Sequence, residues 1–131
     1  MTVAVRVVTP EREVWSGDAQ MVVARGTEGE LGILGGHIPL LVRLAVGPLR
    51  ISRDAGRIDA AVDGGFLHVT SDGEETRVDV LATRSELESE IDLDAARAAR
   101  EEMERRLAED RDDAEALEGL ARANARIGLR S

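Results

Sequence analysis

The stretch Gly29-Glu30-Leu31-Gly32-Ile33-Leu34-Gly35-Gly36-His37-Ile38-Pro39-Leu40-Leu41 sets four glycines among large apolar side chains. Such a segment can cradle a phosphate, carry a catalytic turn, or join two strands. The first two readings fail on residue types. A P-loop needs a lysine after its glycines and then a helix; here His37-Ile38-Pro39 follows. A dinucleotide fingerprint needs G-x-G-x-x-G opening a helix; Gly32, Gly35 and Gly36 have the wrong spacing, and Pro39 opposes the helix. A nucleophile elbow needs a serine between glycines, and none is present. What remains is a tight connection between strands, with glycines at positive φ and Pro39 stiffening the exit.

Outward from this stretch, the chain reads as two unlike halves. Up to about Arg84 it is a series of short strands cut by turn signals. Val3, Val5 and Val7 alternate with Ala4 and Arg6, and Thr9-Pro10 breaks the run. Ala19 to Ala24, Leu40 to Val46, Leu49 to Arg53, Arg57 to Val62, Phe66 to Thr70 and Thr76 to Ala82 are further strands. Between them lie Ser16-Gly17-Asp18, Gly47-Pro48, Asp54-Ala55-Gly56, Gly64-Gly65 and Ser71-Asp72-Gly73. The pattern predicts an N-terminal antiparallel β-sandwich over residues 1–84.

Beyond Arg84 the period becomes helical. Ala96, Ala99, Met103 and Leu107 form one stripe, with Asp92 or Asp94 placed to cap it; Ala116, Leu120, Ala123 and Ile127 form a second. The polar break Glu109-Asp110-Arg111-Asp112-Asp113 separates them and offers an aspartate to cap the second helix. Residues 85–131 are therefore expected as a C-terminal antiparallel two-helix hairpin. Its stripes are mostly alanine. With so little to bury, the hairpin is expected to dock weakly, as an element that a ligand or partner can tip.

Composition removes several functions. The chain has 131 residues, no cysteine, and 17 basic residues that are all arginine. Disulfides, thiolate catalysis, Cys-ligated zinc and lysine Schiff-base chemistry are excluded. The net charge of −9 and the pair of aromatics, Trp15 and Phe66, speak against nucleic-acid binding, which needs phosphate neutralisation and stacking platforms. The core must be built from Val, Leu, Ile and Ala. No stretch approaches the roughly 20 apolar residues of a membrane span, and MTVAVRVVTPERE lacks the charged start and apolar run of a signal peptide. The chain is expected to be soluble where it is made, or to ride on a complex there.

No catalytic or metal site stands out. His37, beside Gly and Pro, reads as a loop histidine bonded to backbone. His68 lies thirty-one positions on, and two histidines without organised carboxylates make a poor metal site. Ser16, Thr27, Ser52 and Ser71 are turn residues. The last stretch is different: after Glu118 there are no acids, and Arg122, Arg126 and Arg130 follow at four-residue steps as one basic stripe. Arginines near a helix C-terminus are favoured by the macrodipole; they can also meet an acidic partner or a phosphate.

The 29–41 stretch resembles the signature G-x-L-G-I-L-P-G-H-x-P-L-L of the epsilon subunit of bacterial F-type ATP synthases, with Gly35 where the family usually has Pro. Thr9-Pro10 with Val14-Trp15-Ser16-Gly17, Gly47-Pro48-Leu49-Arg50-Ile51, Gly64-Gly65-Phe66 and Val78-Asp79-Val80-Leu81-Ala82 continue the likeness in order. The resemblance implies a β-sandwich followed by a helical hairpin. It also implies a non-catalytic central-stalk subunit of a proton-translocating synthase, peripheral at the cytoplasmic face of the bacterial membrane, with no required cofactor.

By the same resemblance, Glu30, Leu31, His37, Pro39 and Leu40 belong to the surface presented to the gamma subunit and the c ring, with Glu30 toward the polar loops of the ring. The hairpin can fold onto the sandwich, or extend and inhibit ATP hydrolysis through contact of Arg122, Arg126 and Arg130 with the beta subunit. Leu93-Asp94-Ala95-Ala96-Arg97-Ala98 resembles the I/L-D-x-x-R-A sequence of members that bind ATP on the hairpin. That implies ATP as a possible regulatory ligand: Asp94 on the ribose–adenine side or positioning Arg97, and Arg97, Arg122 and Arg126 toward phosphates. The plainer reading is that Asp94 is a helix cap and Arg97 is solvated.

Overall fold

The computed structural model describes residues 1–130; Ser131, the last residue of the expected hairpin segment, lies outside them. The strands are β1 (Val3–Val8), β2 (Glu13–Ala19), β3 (Met21–Gly26), β4 (Gly29–Leu34), β5 (Leu40–Ser52), β6 (Ile58–Asp72), β7 (Glu75–Ala82) and β8 (Ser85–Leu87). A single 3-10 turn, Glu88–Glu90, leads to α1 (Leu93–Glu109) and α2 (Ala114–Arg130).

The strands form one hydrogen-bonded path, β2-β1-β7-β6-β5-β3-β4, with β8 added to β6. Every ladder is antiparallel except β1 with β7, which is parallel, Val5 facing Val78. Two pairs of strands expected to be separate are continuous. Gly47-Pro48 does not end β5, and Gly64-Gly65 does not end β6; both dipeptides sit inside 13- and 15-residue strands. Gly64 and Gly65 hold φ of +83° and +108°, the region glycine tolerates, and so bend β6 without breaking its ladders. The N-terminal half of β6 pairs with β8 and its C-terminal half with β7, so this strand and β5 run through both layers of the sandwich.

The interior follows from alternation. Val3, Val5 and Val7 point inward, joined by Val22, Ile33, Leu49, Ile51, Leu67, Val69, Val78 and Val80, all nearly inaccessible to water. No aromatic ring lies in this aliphatic core; Trp15 only packs against it, and Phe66 is on the surface. The core cluster is drawn entirely from residues 3–82, so the sandwich has an interior of its own.

The helical half begins later than Arg84. Ser85–Leu87 is still strand, because Ser85 pairs with Val62 and its hydroxyl donates to the Ala61 carbonyl at 2.8 Å. Asp92 caps α1 by accepting from the Ala95 N–H at 3.0 Å, and Asp113 caps α2 by accepting from the Ala116 N–H at 3.0 Å. Arg106 forks onto Asp113 at 2.9 and 3.1 Å, closing the connection between the helices. The helix–helix seam is made of small residues: Ala96, Ala116, Gly119 and Ala123 are buried, and a Cβ on Gly119 would stand 2.7 Å from the Met103 sulfur. It is α2 that lies on β5 and β6.

Candidate functional site

The 29–41 stretch is half strand and half turn. β3 and β4 close through two residues, Thr27-Glu28, with Gly26 opposite Gly29 and Arg25 opposite Glu30. The Thr27 N–H donates to the Arg43 carbonyl at 3.0 Å, which fixes the tip against β5. Glu28 and Glu30 are exposed there, while Leu31 packs on the core. Glu30, Leu31 and Leu40 line one shallow cleft at the tip; His37 and Pro39 lie outside it, in the turn that joins β4 to β5.

That turn is tied down by backbone groups. The His37 N–H donates to the Leu34 carbonyl at 3.1 Å, and the Gly36 N–H donates to the buried Thr76 hydroxyl at 2.7 Å. The His37 Nδ1 sits 2.7 Å from the Ile38 carbonyl, the backbone-bonded histidine expected of such a loop. Of the four glycines only Gly29 and Gly36 take positive φ, +133° and +87°. Gly32 is ordinary strand. Gly35 makes room for the N-terminus, since a Cβ there would fall 2.5 Å from the Met1 Cβ.

The strands and this turn also leave apolar side chains in water. Leu34, Ile38 and Leu41 are 57%, 73% and 63% exposed, and Phe66 and Leu81 are 43% and 51% exposed. Phe66 is the direct cross-strand neighbour of both Arg43 and Leu81, and Leu41 lies two pairs along, opposite His68. The Arg43 guanidinium stacks over the Phe66 ring at 5.9 Å. These outward positions alternate with the buried Leu67, Val69, Val78 and Val80, so strand parity exposes them.

A second region lies between the sandwich and the hairpin. A cleft of about 400 Å³ is floored by Ala95, Ala96, Ala99, Met103, Gly119 and Ala123 and rimmed by charge: Asp63, Glu86, Glu90 and Asp92 against Arg84, Arg122 and Arg126. Arg126 uses four of its five N–H groups. Its terminal nitrogens donate to both Asp63 carboxylate oxygens at 2.8 Å, its Nε to Glu86 at 2.5 Å, and one terminal nitrogen also to the Arg122 carbonyl at 3.0 Å. The Arg126 and Asp63 side chains are only 15% and 4% exposed. Burial alone would lower the Arg126 pKa; hydrogen bonds and charge from Asp63 and Glu86 outweigh it and hold the pKa raised.

The other candidate residues are dispersed. Arg130 reaches Glu88 only at 3.9 Å. Arg122 lines the cleft, and no carboxylate pairs with it among the described residues. Asp94 and Arg97 are exposed on α1 and do not line the cleft; Asp92 and Ala95 stand there instead. Read two residues earlier, as Ile91-Asp92-Leu93-Asp94-Ala95-Ala96, the sequence that faces the cleft has alanine where the ATP-binding pattern has arginine. Asp63 and Glu86 were not singled out in the sequence. The available signal was Asp63 itself, an acid ending the apolar run Ala60-Ala61-Val62 and so requiring a partner when buried. Among the described residues, no three His, Asp or Glu cluster as metal ligands.

A β-sandwich carrying a helical hairpin, with apolar side chains exposed on an outer face, defines a docking protein more than a catalyst. Residues 2–88 match the family described as ATP synthase, Delta/Epsilon chain, beta-sandwich domain. Over 126 residues the chain is 46% identical to the ATP synthase epsilon chain of Thermobifida fusca, covering 94% of this chain and 88% of that one. It is 48% identical over 113 residues to that of Alkalihalophilus pseudofirmus, covering 86% and 82%. In fold it is similar to a chain of the Euglena gracilis mitochondrial ATP synthase OSCP/F1/c-ring structure, with a TM-score of 0.72 and 24% identity over 93% of this chain and 76% of that one. The chain belongs to the family of ATP synthase epsilon chains, non-catalytic subunits of the ATP synthase complex.

Proposed function

We propose that the chain is a central-stalk rotor subunit of a proton-translocating ATP synthase at the cytoplasmic face of a bacterial membrane. The sandwich binds the gamma subunit and the c ring, and the hairpin is a movable arm that restrains ATP hydrolysis by reaching the beta subunit. The observation that carries the docking role is the exposed apolar cluster of Leu41, Phe66 and Leu81 on one outer face, beside Arg43. Adjacent exposed apolar side chains rimmed by charge mark a protein contact. The fold matches come from assemblies titled F1/c-ring and central stalk/c-ring, which supports this setting. No helix among the described residues is long and apolar enough to cross a membrane, in keeping with a peripheral place on the complex.

The arm role is supported by the division of the core. The core cluster of the sandwich contains no hairpin residue, and the hairpin packs on it mainly through α2, over small side chains and an ion-pair cluster. Hydrolysis by the complex assembled with the full chain, or with the chain ended after residue 90, tests it. Release of the brake by truncation, with gamma still bound, is the expected result; an unchanged rate contradicts the arm.

ATP as a regulatory ligand is a second reading. Arg84 and Arg122 at the rim of the cleft favour it. Four carboxylates against three guanidiniums on that rim, and Arg126 already occupied, oppose it while the hairpin is docked. Calorimetric titration of the full chain with ATP, compared with Arg122→Ala, decides it.

A further inference from the structure

We propose that Arg126, Asp63 and Glu86 form a latch that holds the helical hairpin on the sandwich without any bound ligand. The three charges come from the two sides of the junction: Arg126 from α2, Asp63 from β6, Glu86 from β8. One bidentate fork and one single bond use the nitrogens of the guanidinium, and a further N–H goes to the helix's own Arg122 carbonyl. Four of the five N–H groups of Arg126 are used, and no two remain free to form a fork on an outside anion. A phosphate approaching it would also meet two carboxylates already within 2.5 to 2.8 Å of its nitrogens.

The fork also sets register. Its planar geometry fits a carboxylate in one orientation, so α2 is fixed both along its axis and about it. The surrounding contact is thin: Ala116, Gly119 and Ala123 are the buried residues of α2, and they serve the helix–helix seam as well. Arg130 near Glu88 adds only a loose second contact on the same acidic segment. Detachment returns Arg126 and Asp63 to water, which limits the net strength of the latch. Removing one partner leaves the other charge buried, and the docked state then becomes expensive. The latch is a property of the chain by itself and does not rest on the rotor assignment.

The chain has no cysteine, so Glu74→Cys and Ala108→Cys introduce unique spin-label sites, one on the sandwich and one on α1. The readout is the distance distribution in the full-length chain, with and without millimolar ATP and magnesium. The expected result is one narrow distance that ATP leaves unchanged. In Asp63→Asn and in Arg126→Gln the distribution broadens to longer distances, with the docked-to-detached ratio falling roughly a hundredfold. The double variant should be no worse than either single one, because both remove the same contact. Trp15 fluorescence reports that the sandwich is intact; if Asp63→Asn disturbs it, Arg126→Gln, which alters only α2, gives the answer. A narrow distance retained in Arg126→Gln overturns the latch, as does a parent chain whose distances are broad until ATP is added.

Discussion

Arg12, in the turn between β1 and β2, grips both carboxylate oxygens of Glu90 at 2.8 and 2.9 Å across 78 positions of sequence. The same Glu90 carboxylate accepts from the Leu87 N–H at 2.8 Å. The last residue of the 3-10 turn is thereby pinned to the opening turn of the sandwich, just before α1 starts. The hairpin therefore leaves the sandwich next to this contact.

The Glu90 pKa is lowered, first by the Arg12 hydrogen bonds and then by the Leu87 N–H. Asp113 is lowered too, first by the Ala116 N–H at the α2 cap and also by Arg106. A lowered folded-state pKa means that the unfolded chain binds the proton more readily. The stability from both groups is full above the ordinary carboxylate range, near roughly pH 4, and is lost as pH falls through their lowered values. Thermal melts followed by helical ellipticity should therefore show a falling midpoint below pH 4. Asp113→Asn keeps a capping side chain but cannot titrate, and its loss over that range should be smaller.

Gly65 should be intolerant of any side chain. Its φ of +108° strains other residues, and a Cβ there would collide with the Leu81 carbonyl of the neighbouring strand. Gly65→Ala is expected to cost roughly 2–4 kcal/mol through backbone strain and overpacking. Gly56→Ala, in an open turn with nothing within 4 Å of the added atom, carries only the φ strain and should cost about 1 kcal/mol. Urea denaturation of the two variants checks both the size and the order.

Phe66→Glu with Leu81→Glu should separate docking from folding. Both side chains face water, but the two carboxylates would stand directly opposite on the β6–β7 ladder, so the fold should be kept with a loss of about 1 kcal/mol. Association with gamma should weaken by at least tenfold, because two carboxylates would enter an apolar contact. Biolayer interferometry against gamma gives the affinity, and a thermal melt gives the control.

Asp92→Ala should loosen the start of α1 by about 1 kcal/mol, through loss of the cap to the Ala95 N–H. Asp94→Ala, on an exposed position that caps nothing among the described residues, should change helicity little. Far-UV ellipticity against temperature distinguishes the two.

Much of this fold is legible in the sequence, because it rests on local patterns. Alternating valines at 3, 5 and 7, the turn at Asp54-Ala55-Gly56, and the change to an alanine-rich helical period after Arg84 all act over a few residues. Where reading fails, distant contacts decide. Glycine pairs that punctuate strands elsewhere only bend β6, because its ladders with β5, β7 and β8 continue across them. Gly29–Leu34 reads as part of a connection, yet pairing with β3 makes it a strand. The parallel pairing of β1 with β7 leaves no mark in either segment.

The hairpin site is the harder lesson. Arg126 is visible in the sequence as one of three arginines on a stripe, but its partners lie 63 and 40 positions away. Only tertiary structure tells it from Arg122, four residues earlier and with no carboxylate partner among the described residues. Asp94 and Arg97 match a motif by spacing. Helix phase, fixed by the Asp92 cap, turns Asp92 and Ala95 to the cleft in their place.

The most direct measurement is co-elution of the full-length chain with a purified gamma subunit and c ring on size exclusion. The account predicts a stoichiometric complex that survives gel filtration and is lost with Phe66→Glu and Leu81→Glu. A chain that elutes alone from both partners, while its Trp15 fluorescence shows a folded sandwich, would contradict the assignment to the rotor.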